Sequence, residues 1–197
     1  MFGTDKRLEY SAKSMVRVEF YTRSFHVSGD VELNRWRVAE LLNDRAHPFV
    51  LLLNAVREPL PGVAVAGSDF SRAERSMQVA KASVLFAIPH EAPEVESARK
   101  SYLSSLYTDM SQVGAIAVIP PFEVHGTLHL RRALQPRQIL EDLPAEFIPM
   151  THIEATCLLD PRLRVAADLA VVNRPAAEIL AIAADSIVNA HRGFSTT

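Results

Sequence analysis

The chain has 197 residues, 48% of them hydrophobic and 22% charged, with a formal net charge of −2. That composition excludes a disordered chain, which needs low hydrophobicity and high net charge, and leaves room for one ordinary domain or two small ones. The slightly acidic balance also argues against nucleic acid as the partner, because phosphate neutralisation by a basic excess supplies most of that affinity.

The stretch up to Ser14 carries Asp5, Lys6, Arg7 and Glu9 and has no apolar segment of the secretory kind, so a cytoplasmic protein is expected. No apolar run approaches the ~18 residues of a membrane span, and no membrane partner is expected.

The first clear element is Phe25-His26-Val27-Ser28-Gly29-Asp30-Val31-Glu32-Leu33. Apolar residues alternate, so Phe25, Val27, Gly29, Val31 and Leu33 share one face of a strand and His26, Ser28, Asp30 and Glu32 the other. Gly29 on the inward face marks a bend or a close backbone approach. A basic turn follows, Arg35, Trp36 and Arg37. Residues 39–44 fit two helical turns at most, and Phe49-Val50-Leu51-Leu52 starts another strand. The spacer 59–81 is long for a compact connection and reads as a mobile excursion. Ser83-Val84-Leu85-Phe86-Ala87-Ile88 reads as a strand.

Residues 94–110 place Val95, Ala98, Tyr102, Leu103, Leu106 and Met110 at helical spacing, with Pro93 ahead and Glu94 and Glu96 in the first turn. This predicts a helix that links two halves; the alternative is that Pro93 to Ala98 form the last strand of the first half.

Beyond it the pattern returns. Phe122-Glu123-Val124-His125-Gly126-Thr127-Leu128-His129-Leu130 repeats F-x-V-x-G-x-[VL]-x-L, with Gly126 in the place of Gly29. Arg131 and Arg132 follow, as Arg35 and Arg37 do in the first copy. Residues 137–142 match 39–44, and Phe147-Ile148-Pro149-Met150 matches the strand that begins at Phe49. Asp160-Pro161-Arg162 is a tight turn, and residues 167–172 are aligned with 83–88. The tail, 176–190, fits a helix through Ile179, Ile182, Ala183 and Ile187, or a closing strand through Ile179-Leu180-Ala181-Ile182.

Phe147-Ile148-Pro149-Met150-Thr151 and Leu169-Ala170-Val171-Val172-Asn173, with the glycine-bearing hairpin and the leucine turn Leu41-Leu42-Asn43-Asp44, resemble an uncharacterised family of small bacterial domains with an Sm-like barrel. The first copy departs from that pattern at Leu51, Leu53 and Ile88-Pro89. The resemblance implies a mostly β protein (α+β): two tandem Sm-like barrels, 14–100 and 111–190, in a pseudo-twofold arrangement and joined by the 94–110 helix. It implies no reaction, and fold does not imply function.

Chemistry-bearing motifs are sparse. His125 and His129 would share a helix face, but on a strand they stand about 13 Å apart at ~3.3 Å per residue, too far for one ion. A single cysteine, Cys157, makes neither a disulfide nor a zinc site and reads as a buried thiol rather than a nucleophile. Ser68, Asp69 and Asp109 have no nucleophile elbow to support a hydrolytic triad, and no glycine-rich phosphate loop occurs.

No catalytic, metal or cofactor residue is therefore expected. Arg35, Trp36, Arg37, Arg131 and Arg132 are the candidate contact surface, and Gly29 and Gly126 are structural. The function expected is a non-enzymatic scaffold or adaptor that binds another protein or itself. The alternatives are RNA or single-stranded nucleic-acid binding, and a small-ligand domain.

Overall fold

The computed structural model describes residues 13–34, 37–64, 74–90, 111–130 and 145–182. Strands β1 (Lys13–Thr22) and β2 (Phe25–Asn34) form a hairpin and lead to the short helix α1 (Val38–Asn43). Strands β3 (Phe49–Pro59) and β4 (Glu74–Ala80), a 3-10 turn at Lys81–Ser83 and β5 (Val84–His90) complete a first half. The second half holds β6 (Ser111–Ile119), β7 (Phe122–Leu130), β8 (Phe147–Cys157), β9 (Arg164–Asn173), a 3-10 turn at Arg174–Ala176 and β10 (Ile179–Ile182). All ten strands lie in one antiparallel sheet, ordered β10-β6-β7-β8-β9-β5-β1-β2-β3-β4.

Hydrophobic alternation decides the strands. In β2, Val27, Val31 and Leu33 are buried, while Glu32 between them is exposed. In β5, Val84, Leu85, Phe86, Ala87 and Ile88 are all buried, because this strand is covered on both faces.

The two halves share one strand order and one register. Phe25 pairs with Pro59 in the first, and Phe122 with Cys157 in the second. Both β2–β3 and β7–β8 ladders slip at the same place in the repeated motif, after Ser28 and after His125. Each slip is accompanied by a non-glycine residue at positive φ, Asn54 at 49° and His152 at 52°. Phe49 pairs with Ala80, and Phe147 with Asn173.

This register corrects four expectations. Strand β9 is the counterpart of β4, not of residues 83–88, and the counterpart of β5 is β10. The spacer 59–81 is not a bare excursion, since it contains β4; residues 65–73 lie outside the described residues. The sheet is not closed into barrels: β4 has no ladder to β5, because the second edge of β5 is taken by β9. Nor is the junction pseudo-twofold. A twofold that set β5 against the counterpart of β4 would also set β4 against β10, the counterpart of β5, but these two strands lie at opposite ends of the sheet. In the tail, Ile179–Ile182 is a strand, and the rest lies outside the described residues, as do the linking helix 94–110 and the segment 137–142.

Two cores result. One gathers Val18, Phe20, Val31, Leu52 and Val79 of the first half with Phe147 and Val171 of the second. The other gathers Ile119, Phe122, Met150 and Ile153 of the second half with Tyr21, Phe86 and Ile88 of the first. Strands β5 and β9 feed both cores. Gly29 and Gly126 lie where neighbouring strands crowd the backbone. A Cβ on Gly29 would stand 2.9 Å from the Leu52 Cβ, and one on Gly126 would stand 2.6 Å from the Ile153 Cδ1.

Candidate interaction surface

The interface that the fold displays internally is the seam between β5 and β9, where Phe86 pairs with Val172 and Ala87 with Val171. Side chains lock it from both sides. The Asn43 carboxamide behaves like an extra peptide for β8. Its Nδ2 donates to the Phe147 carbonyl at 2.7 Å, and its Oδ1 accepts the Phe147 N–H at 2.9 Å. Arg45 pairs with Glu146 at 2.6 Å. The buried Asn173 amide donates to the Val84 carbonyl at 2.7 Å. Behind α1, the buried Lys81 ammonium donates to the carbonyls of Leu41 and Asp44, which satisfies two of its three donors. Burial pushes its pKa below the usual lysine value.

Among the described residues, the sheet ends on two strands that each have one ladder only, β4 on β3 and β10 on β6. Unpaired edges expose rows of N–H and C=O groups to any incoming chain. The apolar residues near these edges are not covered. Ile179 on β10 is 56% exposed; beside β4, at the start of β3, Phe49 is 52% exposed and Leu51 equally open. A groove of about 630 Å³ opens along β4, lined by Phe25, Val27, Met77, Gln78 and Val79 among others.

A second feature is polar. The β1–β2 hairpin sets Tyr21 opposite His26 and brings Glu19 to both. The Glu19 carboxylate accepts the Tyr21 hydroxyl at 2.8 Å, faces His26 Nε2 at 3.0 Å and His90 Nε2 at 2.8 Å. His26 also faces Glu58 and stacks on Tyr21 with ring centres 4.8 Å apart. The bond to His26 holds the Glu19 pKa down to about 2, with Tyr21 and His90 adding to it against the cost of burial. Burial disfavours the His26 cation, but Glu19 and Glu58 together outweigh it and raise its pKa. Next to this group, Arg17 donates to Ser28 at 2.9 Å and Asn54 to Asp30 at 3.0 Å. These residues bind one another, which makes an outward ridge rather than a site that converges on a ligand.

The ridge predicts a pH profile. His26, with its pKa raised above 6.5, stabilises the fold below that value and ceases to as pH rises through its folded pKa. Glu19 stabilises above its usual 4.5, and that contribution fades as pH falls towards 2. Urea midpoints should therefore peak between about pH 5 and 6.5. Replacing Glu19→Gln should cost about 1–2 kcal/mol at pH 6, the figure reduced for solvent screening, and flatten the alkaline limb. An unchanged limb in the variant would assign the pH dependence elsewhere.

Of the candidate contact residues, Arg37 is described: it is exposed at the start of α1, and its N–H donates to Glu40 at 3.1 Å. Arg35, Trp36, Arg131 and Arg132 lie outside the described residues, as do Ser68, Asp69 and Asp109. His125 meets Glu123 at 2.7 Å and His129 meets the Thr151 hydroxyl at 2.7 Å, so the two are not brought together. Cys157 is fully buried. Among the described residues, no group of three or more His, Cys, Asp or Glu side chains could hold a metal ion, and no helix is long and apolar enough to cross a membrane. Sequence reasoning missed β4 and the Glu19 group altogether.

No family model, curated protein or solved structure matches this chain.

Proposed function

We propose that the protein is a non-enzymatic scaffold that takes up polypeptide strands at the ends of its sheet. The observation that carries this reading is the pair of edges, β4 and β10, that no other described strand pairs, with Phe49, Leu51 and Ile179 exposed beside them. Strand addition uses such a surface well: main-chain hydrogen bonds supply affinity, and alternate side chains supply selectivity. Each five-stranded half is, on this reading, an Sm-like unit left open along one side. The repeated order, β5-β1-β2-β3-β4 and β10-β6-β7-β8-β9, supports it. The work of the protein is then assembly in the cytoplasm, with no bound cofactor.

Native mass spectrometry of the full chain from its own host, at low and high salt, tests this. Masses at multiples of the chain, or with a stoichiometric second protein, that survive nuclease and salt are expected. An excess mass that nuclease removes would replace the reading with nucleic-acid binding. A bare monomer at every concentration would also overturn it.

A further inference from the structure

The internal seam specifies what should cover the free edges. Phe86 pairs with Tyr21 on one side and Val172 on the other. In the second half, Ile179 occupies the place of Phe86: it pairs with Val118, and Ala117 and Val124 pair as Phe20 and Val27 do. Val79 likewise occupies the place of Val172, since Val79 pairs with Val50 as Val172 does with Ile148. So the free edges are the same two strand types that meet inside the chain, and they are left at opposite ends of the sheet.

Burial differs between equivalent positions where a neighbour is missing. Phe86 is fully buried in the core of the other half, but its counterpart Ile179 is 56% exposed. Phe147 is 3% exposed and packs in the first core, but its counterpart Phe49 is 52% exposed. One apolar position on each end of the sheet is thus open where its twin is covered by a complementary half. A second copy of this chain carries both complements.

We infer that copies of the chain join head to tail, β10 of one to β4 of the next, in the register of the internal seam. Ile179 then pairs with Val79 of the next copy and Leu180 with its Gln78. Ile179 enters the neighbour's first core, and the neighbour's Phe49 is covered in return. The contact is heterologous, so it propagates: it closes into a ring if the rotation per step allows, and otherwise extends as a filament. This deepens the scaffold reading and depends on it, with the occupant now fixed as the chain itself.

Cysteine cross-linking tests the register. Cross-strand partners stand at disulfide distance, whereas residues one step off face opposite sides of the sheet. The native Cys157 is buried and does not compete. Ile179→Cys mixed with Val79→Cys should give a cross-linked pair containing one of each, at least about tenfold above Ile179→Cys mixed with Gln78→Cys. Leu180→Cys with Gln78→Cys is the second in-register pair and leaves Val79, a core residue, untouched. Ile179→Cys alone should stay monomeric under denaturing conditions, because head-to-tail contact keeps like edges apart. In native mass spectra, Ile179→Lys should lose the multiples that Leu159→Lys, at a still more exposed apolar site, retains. Cross-linking of Ile179→Cys to itself, or equal yields in and out of register, would overturn the inference. A chain that associates only with a foreign protein would overturn it and leave the scaffold reading standing; a chain that associates with nothing would remove both.

Discussion

Phe86→Ala should lower stability by about 3–5 kcal/mol, and the damage should appear in the half of the chain that does not contain the substitution. Phe86 is fully buried and stacks on Tyr21, with ring centres 4.5 Å apart and planes 10° from parallel. Its edge meets Phe122 at 5.2 Å and 90°. Both contacts belong to the core that the second half builds around Phe122, Met150 and Ile153. Truncation leaves a cavity there and removes two favourable aromatic geometries. Amide exchange should accelerate most in β7 and β9 and least in β3. The control is Phe20→Ala, a substitution of the same size in the first core, which should reverse that order. If exchange rises only in the first half for both variants, β5 does not serve the second core.

Gly29→Ala should cost about 2 kcal/mol, roughly twice the loss from Gly126→Ala, although alanine normally suits a strand better than glycine. At Gly29 the new methyl meets the Leu52 Cβ at 2.9 Å and the Leu53 carbonyl at 3.1 Å. Neither can yield without moving β3. At Gly126 the shortest contact is shorter, 2.6 Å, but it is to the far end of Ile153, and the Met150 Cε is the other side-chain neighbour. A rotamer change relieves both, leaving only the Thr151 carbonyl at 3.1 Å. Urea midpoints of the two variants measure the difference, and a larger loss at Gly126 would show that β8 is the more rigid strand.

Much of the fold was legible because inward positions recur in the two halves. The pairs Phe25 and Phe122, Gly29 and Gly126, and Phe49 and Phe147 occupy equivalent places in the ladders. Strand β4 was not legible for a physical reason. It is an edge, so of Glu74, Arg75, Ser76, Met77, Gln78, Val79 and Ala80 only Val79 is buried, and no alternation survives. Without it, the apolar run of β9 aligned with the apolar run of β5. Those runs carried a different message: β5, and β9 from Ala170 to Asn173, are covered on two faces, as centre strands are. The closed barrels failed on the same point, since no local pattern says which strand takes the outer edge of β5. The Glu19 group left no motif, because it depends on the pairing of Tyr21 with His26 and on β5 bringing His90 alongside.

The shared cores also set an order on the ribosome. The first core needs Phe147 and Val171, which leave the exit tunnel about 60 and about 80 residues after the end of its own strands. At ~5–20 residues per second, the wait for Val171 is about 4–16 s. Through that interval the nascent first half carries an unfinished edge along β5, with Phe86 lacking its contact with Phe122. The edge is closed only when β9 has been made.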